Sequence, residues 1–447
     1  MGYGITNEAY YPAIATAIRS KAGTSSTYSP SEMAPAIEAI EAGGGDVAGL
    51  VARTLTDFSS DEVTAVGEYA FYSYASLASV DLPACEMVGS SAFQSCSALT
   101  TVSLPACTTV RDGAFGFCSS LASVNMPACE TVGGNAFAWC SALTTVELPA
   151  CTTVGGNAFG FCYSLTTVDL PACTSIGISA FQNTALASVS LPACTTVAGR
   201  AFSGCRSLTS VSLPACTSVY TSAFQGCSAL ASVDLPACEM VGSSAFQSCS
   251  ALTTVSLPAC TTVRDGAFAW CTSLASVSLP SCTAVYGDAF AYCSALATVS
   301  LPVCGWVGGS AFQSCSALTT VSLPACTSVY TGAFARCSAL TTVDLPACET
   351  VGSSAFYYCT SLASVSLPAC TAMGSYAFRG CYNLVSLYLT SVSGVPTLSS
   401  YAFDSSPIGG YSASAGRYGS VYVPASLVNA FKTATNWSSI SDRIVGV

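Results

Sequence analysis

The fold class this sequence predicts is a solenoid of stacked coils, with a parallel β-sheet on one side and short irregular or one-turn helical returns on the other. Three observations carry that prediction. Leucine starts fifteen units spaced 22 residues apart, from Leu77, Leu99 and Leu121 to Leu340, Leu362 and Leu384, with one 21-residue step between Leu165 and Leu186. Self-similarity at a fixed period of this size is the mark of a repeat architecture. Each unit contains a short alternating stretch closed by proline, as in Thr101-Val102-Ser103-Leu104-Pro105, and each return carries an Ala-Phe pair, as in Ala114-Phe115.

Each element follows from these residues. Period-two alternation places a strand at Thr101 to Leu104, and Pro105, having no N–H to donate, ends the pairing. Together with Cys107, the spacing of Leu99, Val102 and Leu104 is that of a leucine-rich repeat. The expectation is therefore a leucine-rich-repeat solenoid of about 15 coils of 22 residues with small helical caps at both ends. No single coil has a core, so neighbours must cover one another's apolar edges. The inward residues are Leu, Val and Leu from the strand side and Val, Ala and Phe from the return, which makes Phe93, Phe115 and Phe137 rungs of a structural ladder. Four regions are expected: a helical anchoring or oligomerisation segment over 1–45, a capping coil over 46–76, the solenoid over 77–392 and a C-terminal cap over 393–447. Helical spacing at Tyr10, Ile14, Ala17 and Ile18 and an N-cap at Ser31 support the first, and a helix at Ala425 to Ala434 with Trp437 and Ile440 supports the last.

Composition narrows the function. The 447 residues are 51% hydrophobic, too apolar for a disordered chain. Histidine is absent, which removes Ser-His and Cys-His nucleophile pairs and imidazole metal ligands. Twelve Lys and Arg are scattered among 23 Asp and Glu, for a net charge of -11, and no basic run offers itself to phosphates, so neither nucleic acid nor an anionic membrane surface is an expected partner. Every apolar stretch is interrupted well short of the roughly 20 residues a span needs, so no membrane insertion is expected, and no secretory leader is visible after Met1. Asp57, Asp61 and Glu62 cluster near one end rather than as a placed acid–base pair, so no enzyme is read here and no cofactor is expected.

The 27 cysteines fall into two columns, one after Pro-Ala (Cys85, Cys107, Cys129) and one three residues after the repeat Phe (Cys96, Cys118, Cys140). Disulfides and soft-metal ligation are the alternatives, but the total is odd and no C-x-x-C pair occurs. Reduced thiols buried as small hydrophobes, formed in a reducing cytoplasm, are the expected state.

Candidate binding residues lie on the returns. Two residues after the repeat Phe, rings stand at Phe117, Trp139, Phe161, Trp270, Tyr292 and Tyr358; one residue after the return Val, they stand at Tyr220, Tyr286 and Tyr330. Exposed rings among polar neighbours suit sugar stacking or a protein contact, while mutual packing over the surface is the structural alternative. The strand-side columns, Thr101 and Ser123 with Ser103 and Asn125 beside them, are small and nearly uniform and read as solvated sheet, with a ligand face as the alternative. Residues 77–115 and 230–268 are identical at all 39 positions, exposed ones included, which points to duplication or exchange between units.

The stretch Leu148 to Cys162, Leu-Pro-Ala-Cys-Thr-Thr-Val-Gly-Gly-Asn-Ala-Phe-Gly-Phe-Cys, resembles the BspA-like leucine-rich repeat of bacterial surface proteins over residues 55–400. The ending from Val421 to Ile444 is similar to the C-terminal closure of that family. Residues Ala13 to Arg19 and Tyr28 to Met33 resemble the leading segment of bacteriophage tail and fibre proteins. These resemblances imply binding without chemistry: a tail fibre or receptor-binding component of a virion, made in the bacterial cytoplasm, or else an adhesin on the bacterial cell surface. The implied partners are a bacterial surface glycan or protein, other virion proteins, and a second copy of the chain through residues 1–45.

Overall fold

A computed structural model describes residues 54–411 and 414–447. The helices expected within residues 1–45, and the first residues of the expected capping coil, lie outside that range. The chain divides into two compact units, Met1–Leu208 and Thr209–Val447, each taken by itself below. In both, the expected parallel-strand solenoid is present.

Each coil contributes two strands. The front strand is the predicted one, for example Thr101–Ser103, with Val102 buried between an exposed Thr and a half-exposed Ser. It pairs in parallel with Ser123–Asn125 of the next coil, Val102 opposite Val124, a register of one repeat. The back strand is only two residues long, as in Thr109–Val110. Sequence patterning missed it, because two residues are too few to show a period.

The shorter strand carries the more continuous ladder. In the first unit the back strands pair without a break from Ala65–Val66 to Thr196–Val197. In the second they do so from Ser218–Val219 to Thr397–Leu398. The front ladder, expected to pair once per coil, is instead interrupted, after Ser123–Asn125 and Thr167–Asp169 in the first unit and after Ser232–Asp234 and Thr298–Ser300 in the second. In all four of these strands the central valine is only half-buried, whereas in most front strands it is buried. In most coils the ladder ends one residue later, at a leucine that still donates to the next coil, as Leu104 does to Asn125 at 2.9 Å, before proline closes it.

The core is built of columns. Phe93, Phe115 and Phe137 are fully buried, with ring centroids 5.1 Å apart and planes within 8° of parallel. Two turns replace a helix in each return, so the Ala and Phe of every coil drop into the same place. All 27 cysteines are free and buried, and their two columns do different work. In the first, the thiol donates within its own coil, as from Cys107 to the Thr109 carbonyl at 3.4 Å. In the second it donates to the phenylalanine carbonyl of the preceding coil, as from Cys118 to Phe93 at 3.0 Å and from Cys140 to Phe115 at 3.1 Å.

The one-residue deletion after Phe181 shows how strict that second column is. The register of the back strand shortens to 21 residues, Ser175 opposite Thr196, without loss of pairing. Thr184 takes the cysteine position, buried, and its hydroxyl donates to the Phe181 carbonyl at 3.0 Å. Ser406 does the same to Phe403 at 2.7 Å. A small donor is kept at the position, but it turns to its own coil's carbonyl rather than to that of the preceding coil, and Phe181 also accepts from Cys205 at 3.1 Å.

At the C-terminus the expected small helices are present, a 3₁₀ turn at Ala425–Leu427 running into a short α-helix at Val428–Thr433. Trp437 is fully buried against Phe431 and donates its indole N–H to the Pro396 carbonyl at 2.8 Å. The last strand, Ile444–Gly446, pairs in parallel with Ser420–Val423.

Candidate binding surface

The outer ring column begins in backbone geometry. Phe117, Trp139, Phe161, Trp270, Tyr292 and Tyr358 all have φ between 57° and 64°. Left-handed backbone costs a bulky side chain on the order of 1–3 kcal/mol. Other coils place serine, glycine or asparagine there, at Ser95, Gly204 and Asn183, as the conformation prefers. The reason is coil stacking: this φ turns the N–H toward the next coil, so that Phe117 donates to the Ala138 carbonyl at 2.8 Å and Trp139 to Gly160 at 2.9 Å. Every coil demands the conformation, and a few coils fill it with a ring.

Those rings meet face to face. Trp139 stacks on Phe161 at 4.3 Å and 7°, and on Phe117 at 6.2 Å and 6°. Trp270 stacks on Tyr292 at 4.1 Å and 9°. Phe117 is 50% exposed, Trp139 38% and Trp270 48%, while Phe161 and Tyr292 are half-exposed. The stacks therefore show solvent mainly their edges, with an open face at an end, rather than the row of flat platforms expected for sugar stacking. Packing and exposure coexist in these rings.

The other candidates separate. Tyr286 and Tyr330 are brought together by Trp306 of the back strand Trp306–Val307, edge-on to it at 4.7 and 5.8 Å, with the Arg264 guanidinium 5.5 Å from the Tyr286 ring. Tyr358 lies with Tyr357 and Tyr382, at 4.5 and 5.9 Å. It stands away from Trp270 and Tyr292, because Ser314 and Arg336 fill the two coils between. Tyr220 is exposed and joins neither group, its column continuing through Gly242 and Arg264. Sequence reasoning missed Trp306 and Tyr163, the latter exposed and edge-on to Trp139 at 6.0 Å. Their signal was available only as aromatic residues outside the two chosen columns.

Beside the Phe117 stack lies a depression of about 280 Å³, lined by Gln94, Asp112, Asn135, Phe117 and Trp139 among others. The Asp112 carboxylate accepts from the Gly134 N–H at 2.6 Å, and Asn135 from the Asn157 side-chain amide at 2.7 Å. In the second unit Asp265 likewise accepts from Gly287 at 3.0 Å, and burial, then the Asp265 carboxylate, raises the Asp288 carboxyl above the ordinary aspartate range. Among the described residues no three Cys, Asp or Glu side chains converge as a metal site, and no helix is long and apolar enough to cross a membrane.

Comparison with known proteins agrees with this architecture. No curated protein matches the sequence. Among solved structures, a leucine-rich repeat protein from Bacteroides ovatus is 21% identical over 90% of this chain and 93% of its own, with a TM-score of 0.55. A leucine rich cell surface protein from Faecalibacterium prausnitzii is 28% identical over 60% of this chain and 87% of its own, with a TM-score of 0.38. The family model for the BspA type leucine rich repeat region matches residues 64–185, 174–297 and 283–409. With the repeats matched over most of its length and built as parallel coils, this chain belongs to the BspA-type leucine-rich-repeat family.

Proposed function

We propose that this chain is a non-enzymatic binding solenoid of a bacterial cell surface, holding a surface glycan or protein against the exposed rings of its returns. The observation that carries the reading is the stack of Phe117, Trp139 and Phe161: large rings kept at a left-handed backbone position, where coil stacking alone is served by serine or glycine, and left open to solvent. Serine, glycine and asparagine make the same coil-to-coil bond in the other coils, so that bond gives no reason to place rings there. Attachment of the purified chain to bacterial cells tests this. Trp139→Ala is expected to lower retention severalfold with an unchanged melting temperature; normal retention with early melting would make the ring a packing residue and overturn the reading.

A second reading is a tail fibre or receptor-binding component of a virion, with residues 1–45 assembling copies of the chain and docking them to other virion proteins, and with capping segments at 46–76 and 393–447. It is favoured by the thiols: 27 buried, unoxidised cysteines suit folding in a reducing cytoplasm followed by release on lysis. Labelling with an antibody to the solenoid decides between the two, since the cell envelope marks the first and free particles the second. Sedimentation of the full chain against a chain lacking residues 1–45 tests self-association; a monomeric full chain ends that part of the proposal.

A further inference from the structure

The two units carry the same local constellation twice. Because residues 77–115 recur unchanged as 230–268, Gln94 and Gln247 correspond, as do Asp112 and Asp265. Immediately after the identical block the residues differ but their character does not: Gly116-Phe117 becomes Ala269-Trp270, and one coil later Ala138-Trp139 becomes Ala291-Tyr292. In each unit a stack of rings thus starts at a coil whose predecessor carries serine in the ring column, Ser95 before Phe117 and Ser248 before Trp270, both left-handed. The ladder has a ring-sized gap at that rung. The first ring turns a face toward it, and these end rings are the more exposed members, 50% and 48% against 38% for Trp139.

Polar groups stand near the first ring of each stack. The carboxylates of Asp112 and Asp265 are oriented by N–H donors of the following coil, Gly134 at 2.6 Å and Gly287 at 3.0 Å. In the first unit Gln94 and Asp112 line, with Phe117 and Trp139, the depression beside the stack. Gly113 and Gly266, at φ 68° and 62°, leave the wall open: a Cβ added there would come within 3.2 Å of the Ser91 hydroxyl and 3.4 Å of the Ser244 hydroxyl. An apolar ring face next to an oriented carboxylate and an amide matches one chemistry well, a pyranose, whose C–H face lies on a ring while its hydroxyls donate to a carboxylate and accept from an amide.

We propose that the chain has two equivalent subsites for a hexopyranose unit of a glycan, one on Phe117 with Gln94 and Asp112, the other on Trp270 with Gln247 and Asp265. Each sugar ring extends the aromatic ladder by one rung, over Ser95 or Ser248. The inference deepens the proposed surface-binding function and rests on it, and adds both the ligand class and a count of two sites per chain.

The test is titration of the full chain with methyl glycosides of glucose, galactose, mannose and N-acetylglucosamine, read by calorimetry and by indole fluorescence. The expected result is saturable binding of at least one glycoside at two sites per chain, one site after Phe117→Ala or Trp270→Ala, and none after both, with melting temperatures unchanged. Asp112→Asn is expected to weaken its own site about tenfold and leave the other alone. A single site in the intact chain, binding that survives the double variant, or no binding of any glycoside overturns the proposal. The parent reading is scored separately on whole cells: a double variant that loses cell attachment while the intact chain binds no glycoside sinks only the sugar assignment. A double variant that attaches normally while the intact chain binds two glycosides sinks only the surface role of these rings.

Discussion

Two columns of aromatic rings run side by side along the returns, two residues apart in every coil that has both, and they differ in almost everything but geometry. Phe115, Phe137 and Phe159 stack at 5.1 and 5.2 Å with no exposure. Phe117, Trp139 and Phe161 stack at 6.2 and 4.3 Å, equally parallel, yet stand in solvent on left-handed backbone. Stacking in a solenoid is therefore imposed by the repeat, which sets any column of like side chains one coil apart. It does not by itself distinguish a core from a contact surface. What distinguishes them is that the inner column is filled in every coil and buried, whereas the outer is filled in a few coils, at a backbone position where the ring is a liability.

The largest effect that sharpens this comparison falls on the buried side, through the thiols flanking the inner rings. Burial pushes Cys107 up to about 11 and Cys129 and Cys348 to about 12, with neighbouring thiols in the column adding to the rise. Raised pKa values for an acid mean that the unfolded chain loses its protons first. Stability is then fully present below pH 9, the ordinary thiol value, and is lost as pH climbs from there toward the folded values. Each pH unit between the two values is worth about 1.4 kcal/mol for one thiol, and because the thiols recur in every coil the fold as a whole becomes sensitive to alkali. Circular dichroism across an alkaline titration should show cooperative, reversible unfolding between about pH 9 and pH 11 with reductant present. A fold that persists to pH 12 would mean the thiols are neither as buried nor as reduced as the structure has them.

Next in size are the paired ring substitutions. Phe137→Ala opens a cavity in the inner column and is expected to cost about 3–5 kcal/mol in urea unfolding. Trp139→Gly removes a ring but also relieves left-handed strain, so a change within about 1 kcal/mol is expected, of either sign. Comparable losses at the two positions would erase the distinction drawn between the columns.

The smallest effect concerns the donor column. A hydroxyl replacing Cys249 keeps a partner, either the Phe224 carbonyl that the thiol reaches at 3.2 Å or, as at Thr184 and Ser406, the phenylalanine carbonyl of its own coil. Cys249→Ser is accordingly expected to cost about 1 kcal/mol, and Cys249→Ala, which leaves the Phe224 carbonyl with the Cys227 N–H alone, about 1–3 kcal/mol. Equal costs for the two would show that sulfur packing, not the hydrogen bond, is what the position needs.

The sequence by itself determined everything that depends on which residues recur. The period named the partner of each residue 22 positions away, proline marked the end of each front strand, and apolar recurrence picked out Val102, Leu104, Cys107, Phe115 and Cys118 as interior, all of which are buried. Orientation is a different quantity. That Trp139 turns a left-handed corner follows from the need of its N–H to reach Gly160, a coil-to-coil bond with no trace in composition or spacing. That the back strand carries the unbroken ladder, that Trp306 draws Tyr286 and Tyr330 into one cluster, and that Thr184 stands in for a cysteine were likewise settled in three dimensions. A repeat fixes which side chains become neighbours, but hydrogen bonds between coils fix the angle at which they meet, and that angle leaves Phe115 sealed and Phe117 exposed.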